Sequence, residues 1–221
     1  MRPILALLCV GIFVCSAGVA GLQVMEARPG PPLEVTPLGT DGYDLVIVAP
    51  EAFTRALQPL VDHKRDHGVA TLLETVESIV ASYEGRDDAE KLKYYLKDAI
   101  EDYGISYVLL VGGRKPLGSE WHVPVRYAHV NDQSGYQKFL SDLYFADIYN
   151  EAGHFEDWDS NGNDVFGEFS LMRKDVMDLR PDVALGRLPC RTVREVDIVG
   201  EKIIDYETTA YAQSWCNRMV A

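Results

Sequence analysis

Apolar residues first concentrate at Asp44 to Ala49, where Leu45, Val46, Ile47 and Val48 run without interruption and Pro50 closes the segment. A short, continuous, β-branched run predicts a strand covered on both faces. From Ala52 to His67 the spacing becomes helical: Phe53, Leu57, Leu60 and Val61 share one face, and Gly68 stands at the C-terminal capping position. Pro59 is expected in the first turn of this helix, because deeper inside it would remove a backbone hydrogen bond.

The alternation then recurs. Val69 to Leu73 predicts a second strand, and Asp88 to Tyr103 predicts a helix with Leu92, Tyr95, Leu96, Ala99, Ile100 and Tyr103 at helical spacing, ended by Gly104. Ser106 to Val111 predicts a third buried strand running into Gly112 and Gly113. A long, polar and less regular insertion occupies about 113–180, after which Asp182 to Leu185 resumes as a strand with Gly186 at its end. Thr192, with Glu195 three residues on, forms a capping box that opens a helix to Glu207, with Val196, Val199, Ile203 and Tyr206 inward. Trp215 to Ala221 predicts the start of another strand. Strands alternating with helices through short connections imply parallel neighbours joined by right-handed crossovers. The expected fold is therefore an α/β protein built on an open, doubly wound parallel sheet, spanning residues 43–221.

The N-terminus is of another kind. After Met1 and Arg2 the chain is uncharged and mostly apolar from Ile4 to Ala20, and it ends in Ser16, Ala17, Gly18, Val19 and Ala20. That pattern predicts a secretory signal over residues 1–20, cut near Gly21. An uncleaved anchor facing outward is the alternative, since weak apolar character continues to Met25. Residues 21–42, with Pro29, Pro31, Pro32 and Pro37, read as a linker or prosegment. Both readings place the body of the protein outside the cytoplasm.

Composition narrows the partners. The 221 residues carry 21 basic and 34 acidic side chains for a net charge of -13, which would repel phosphate backbones and anionic lipid. Nucleic-acid and membrane-surface binding are thereby disfavoured. Of the four cysteines, Cys9 and Cys15 fall in the predicted signal, leaving Cys190 and Cys216 as a disulfide pair or as two buried thiols.

Candidate chemistry lies in two loops. Gly112, Gly113, Arg114 and Lys115 stand at a strand's carboxyl end, where ligands bind in such sheets, but neither G-x-G-x-x-G nor a P-loop is present. The stretch from Asp157 to Glu168 matches D-x-D-x-N-G-x5-E at every specified position. In that spacing, oxygens from Asp157, Asp159, Asn161 and the Asn163 carbonyl would wrap one side of a Ca2+ ion and Glu168 would close the other. Gly162 would supply the sharp turn. The expectation is a structural Ca2+ in an EF-hand-like loop without paired helices. His63 and His67 lie at i and i+4 beside Lys64, Arg65 and Asp66, which reads as a solvated helix face rather than a metal site.

Several segments resemble a known family. YDLVIVAPEAF, PLVDHKRDHGV, SYVLLVGG, SDLYFADI and PDVALGRLPCRTVREVDIVGEKIIDYE are similar to the N-terminal part of gingipain-type, clan CD, caspase-like cysteine peptidases. SDLY and the D-V-A-L-G-R-L-P strand end are the most specific pieces, and the D-x-D-x-N-G loop is similar to a calcium-rich insertion of secreted members. Gly113 departs from the aspartate the family commonly carries there. The resemblance implies peptide-bond cleavage by a histidine in a Gly-His-Gly turn and a cysteine at a later strand end. This sequence contains no Gly-His-Gly; among its histidines only His67 precedes a glycine, and neither Cys190 nor Cys216 has the nucleophile's context. The implied role is the N-terminal portion of a secreted endopeptidase, inactive alone, with the remaining catalytic half or a polypeptide substrate as partner. The alternative is a non-catalytic, calcium-dependent protein-binding module. Sequence beyond Ala221 carrying a further strand, Gly-His-Gly and a strand-end cysteine would separate the two.

Overall fold

A computed structural model describes residues 42–133 and 135–209. Its framework is a four-stranded parallel sheet in the order β2-β1-β3-β7, from β1 (Leu45–Ala49), β2 (Thr71–Thr75), β3 (Tyr107–Val111) and β7 (Ala184–Leu188). Helices α1 (Thr54–Asp66), α2 (Val76–Ser82), α3 (Asp88–Tyr103) and α5 (Val193–Thr209) flank it. Every residue of β1 is buried, as a central parallel strand with both faces covered requires. Its side chains divide by the two-residue period. Val46 and Val48 join a core with Leu92, Leu96 and Ala99 of α3, while Leu45, Ile47 and Ala49 join one with Leu57, Leu60 and Val61 of α1.

Local chemistry sets most boundaries. Asp87 caps α3 by accepting the Glu90 N–H at 2.9 Å, and Gly104 ends the helix in the left-handed conformation at φ 69°. At α5 the Thr192 hydroxyl accepts the Glu195 N–H at 3.2 Å, while Glu195 reaches back to the N–H of Arg191 at 2.6 Å rather than to that of Thr192. Thr192→Ala is expected to cost about 1 kcal/mol. Equilibrium urea denaturation checks this, and an unchanged midpoint would show that the cap contributes nothing.

Four expectations shift on contact with the tertiary structure. Pro59 lies inside α1, not in its first turn; a 3-10 turn at Glu51–Phe53 leads into the helix, and Pro59 is on its exposed side. The second strand starts two residues late, at Thr71, where pairing with Leu45 begins. β7 starts at Ala184 and continues through Gly186, because Asp182 is used elsewhere: its carboxylate takes the N–H groups of Ile148 and Tyr149 at 2.7 and 2.9 Å. Tyr206, expected inward, is 42% exposed, and Tyr103, at helical spacing with the apolar residues of α3, is 37% exposed.

The insertion is more ordered than its polar sequence suggests. It holds β4 (Tyr127–Asp132), β5 (Gly135–Leu140) and β6 (Glu168–Ser170), a second sheet in the order β5-β4-β6, and the short helix α4 (Leu143–Ala146). Tyr144, Phe145, Ala146 and Ile148 are buried in the α3-side core, so the SDLY segment enters the core through its tyrosine. Tyr144 meets Phe145, Trp158 and Phe166 edge-on, with ring centroids 5.2, 5.6 and 6.1 Å away. The predicted signal, linker and anchor, Cys216 and the strand from Trp215 all lie outside the described residues. Among the described residues no helix is long and apolar enough to cross a membrane.

Candidate functional site

The carboxyl ends of β1, β3 and β7 open toward Pro50, Gly112 and Pro189. There the chain is closed by side-chain and backbone contacts. Gly113 has no room for a side chain, since a Cβ would lie 2.3 Å from the carbonyl oxygen of Pro189. Its N–H donates to the Cys190 carbonyl at 2.7 Å, which pins the β3 exit against the β7 exit. The Gly-Gly turn of the sequence is thus a close backbone crossing.

Arg187 is the centre of this edge. Its guanidinium donates two bonds to Asp142, Nε to Oδ2 at 2.7 Å and Nη2 to Oδ1 at 2.8 Å. It also reaches the backbone carbonyls of Gly112, Pro124 and Val123 at 3.0, 2.9 and 3.3 Å. The side chain is only 10% exposed. A planar fork of this kind matches a carboxylate in two places at once and is fully engaged. Arg187 therefore binds the loops together and leaves no donor for a substrate.

Cys190 is buried beside Phe53, Val111 and Val196, and burial, with Glu195 adding to it, pushes its thiol up. A buried, protonated thiol is a poor nucleophile. His122 rests against Phe53 with ring centroids 4.8 Å apart, and its Nε2 meets the Arg191 carbonyl at 3.1 Å. Among the described residues Cys190 is a free, buried thiol, and the Nε2 of His122 is spent on a backbone carbonyl. His63 and Lys64 are not on a solvated face: both bond Glu207 of α5, at 3.0 and 2.5 Å, and His63 is 9% exposed.

The acidic loop is organised by Arg86. This guanidinium bonds Glu90, Asp157 and Asp159 at 2.6, 2.7 and 2.6 Å and Asp164 at 3.3 Å. Bonding to Glu90 chiefly raises its own pKa. Burial works to raise the Asp159 carboxyl, but the N–H groups of Asn163 and Asp164 together with Arg86 outweigh it and hold Asp159 below the usual range. Gly162 takes the left-handed φ of 68° that position six of the motif needs. The amide of Asn161 donates to Asp175 at 2.9 Å and that of Asn163 to Glu168 at 2.8 Å. As arranged, Asp157 and Asp159 converge on the Arg86 guanidinium.

Another acidic group lies below this loop. Asp147, Glu156 and Asp178 each place one carboxylate oxygen within 4.8 Å of the other two. Burial pushes Asp147 up to about 6 and raises Glu156. Lys93 is fully buried nearby, lowered to about 7 by burial, with its ammonium 4.3 Å from the Tyr144 ring. Sequence reasoning passed over all of these residues; a lysine one step from Leu92 and an arginine between Gly186 and Leu188 were the available signals. A cavity of about 720 Å³ beside α3, lined by Tyr83, Arg86, Tyr94, Lys97 and Asp157 among others, includes none of the strand-end residues.

Parallel strands with helices on both faces, and strand ends closed by loops that a buried arginine ties together, define a caspase-like α/β domain. The chain belongs to peptidase family C25, whose profile matches residues 40–221. Among solved structures, dimeric latent PorU from Porphyromonas gingivalis is similar at 21% identity and a TM-score of 0.55, over 82% of this chain and 17% of that one. The complex of pro- and mature domains of RgpB from Porphyromonas gingivalis is similar at 19% identity and a TM-score of 0.46, over 74% of this chain and 29% of that one. The chain thus spans less than a third of either. No curated protein matches it. The two most specific sequence pieces of the resemblance, SDLY and G-R-L-P, meet physically in the Asp142–Arg187 fork.

Proposed function

We propose that this chain is the scaffolding N-terminal portion of a secreted, gingipain-like cysteine endopeptidase and does not cleave peptide bonds by itself. The observation that carries the reading is the strand order: among the described residues β7 is an edge of the parallel sheet, and α5 follows it. A right-handed crossover delivers the next parallel strand beside β7. The catalytic histidine and cysteine belong on strands added there, so the remaining half of the peptidase is the partner and a polypeptide is the substrate. The buried Cys190 thiol is consistent with this division. Secretion rests on the apolar start of the sequence.

The test is an assay of purified chain with casein, expected to yield no hydrolysis above buffer. Casein cleavage that iodoacetamide blocks would overturn the proposal. Among the described residues the β7 edge is unpaired, and unpaired backbone groups recruit other strands. The purified chain is accordingly expected to dimerise or aggregate in light scattering. A monomer that melts cooperatively at high concentration counts against it.

A further inference from the structure

We infer that Asp147, Glu156 and Asp178 form a binding site for a hard divalent cation of the Ca2+ class, separate from the Asp157–Glu168 loop. Asp147 has no exposed surface, and its Oδ2 accepts the indole N–H of Trp158 at 2.8 Å. Its Oδ1 is buried without a hydrogen-bond partner. Glu156 is 8% exposed; its carboxylate takes the backbone N–H of Asp178, and its Oε2 is likewise buried and unpartnered. Asp178 is half-buried and accepts the Arg180 N–H at 2.9 Å through Oδ1. Each carboxylate is thus fixed by a protein donor, and one oxygen of each lies within 4.8 Å of the others.

Two buried, unpaired carboxylate oxygens are expensive unless a ligand completes them. Lys93 does not serve. Its Nζ also lacks a hydrogen-bond partner and rests over the rings of Tyr144, Phe155 and Trp158 at 4.3, 5.5 and 5.9 Å. Three ionised carboxylates beside one ammonium leave two negative charges, which one divalent cation cancels. An all-oxygen, carboxylate-rich donor set selects hard ions, and water would fill the remaining positions. By contrast the loop carboxylates Asp157 and Asp159 already hold Arg86. Bound here, the ion would tie the end of α4, the segment before the loop and the approach to β7 into one unit.

The full chain, stripped with chelator, is titrated with Ca2+ by calorimetry and with Tb3+ by luminescence excited through tryptophan, since Trp158 touches Asp147. Saturable binding is expected, weakened about tenfold or more in Glu156→Gln and Asp147→Asn, because affinity follows ligand charge. Asp178→Asn, at a half-buried loop position, should do the same and decides the matter where a buried variant does not fold. Lys93→Met, which removes the competing positive charge, should tighten binding. Asp159→Asn should leave affinity within about twofold, for its carboxylate is outside the cluster. Absence of binding at millimolar Ca2+, or loss in Asp159→Asn with none in Glu156→Gln and Asp178→Asn, overturns the inference.

Discussion

Arg187→Met is expected to destabilise the chain by about 3–5 kcal/mol, the range for removing one partner of a buried ion pair. Asp142 loses both donors of its fork, and the carbonyls of Gly112, Val123 and Pro124 lose theirs. Methionine fills similar space and offers no N–H, so the loss is of bonding more than of packing. Arg187→Lys should recover little, because an ammonium is a point charge and cannot bond a carboxylate side-on while reaching three carbonyls. Urea denaturation at low protein concentration measures the change. Asp142→Asn provides the second arm of a double-mutant cycle, in which the two substitutions should be strongly non-additive. Additive losses, or a loss below about 1 kcal/mol for Arg187→Met, would mean that the fork contributes no more than a surface pair.

Arg86→Met is the second large effect, placed at about 3 kcal/mol. The guanidinium is 35% exposed, which puts it at the lower end of the buried range, but two of its partners are not exposed: the side chains of Glu90 and Asp159 are 4% and 0% accessible. Without Arg86 these carboxylates remain buried with no compensating cation. The variant should also respond differently to acid. Asp159 and Asp87 are both held below the usual carboxylate range; at Asp87, burial pulls the other way but the Arg126 fork and the N–H groups of Glu90 and Ala89 prevail. A depressed carboxyl contributes stability that is present above the unfolded value, near 3.9, and is lost as pH falls through the folded value. Wild-type stability should therefore fall with acidification below about pH 4, and Arg86→Met should show a shallower fall because Asp159 has lost one of its supports. An identical slope in the two proteins would remove Arg86 from the account.

Elements with strong periodicity were readable directly. The helix from Asp88 to Tyr103 has the predicted ends, because its signals are local: an aspartate cap before it and a glycine after it. The buried strand at Leu45–Ala49 was equally plain, since no polar residue interrupts it. Short elements leave no such mark in the sequence. α4 spans four residues and β6 three, too few to complete a period, and both exist because neighbours bury or pair them. Gly186 marks a strand end by its residue type, yet pairing with Leu109 on β3 carries the strand through it.

The site followed the same division. The acidic loop was legible as a motif, since its oxygens come from one short segment, but what those oxygens face was not. Arg86 is 71 residues from Asp157 and Asp142 is 45 from Arg187. Asp147, Glu156 and Asp178 are drawn from the end of α4, the segment before the loop and the approach to β7. Sequence alone determined the alternating α/β order, the covered central strand and the acidic balance, because each depends on spacing along the chain or on a sum over it. Only the tertiary structure decided which charge meets which, because burial and charge compensation depend on distance in space, and folding makes neighbours of residues the chain keeps apart.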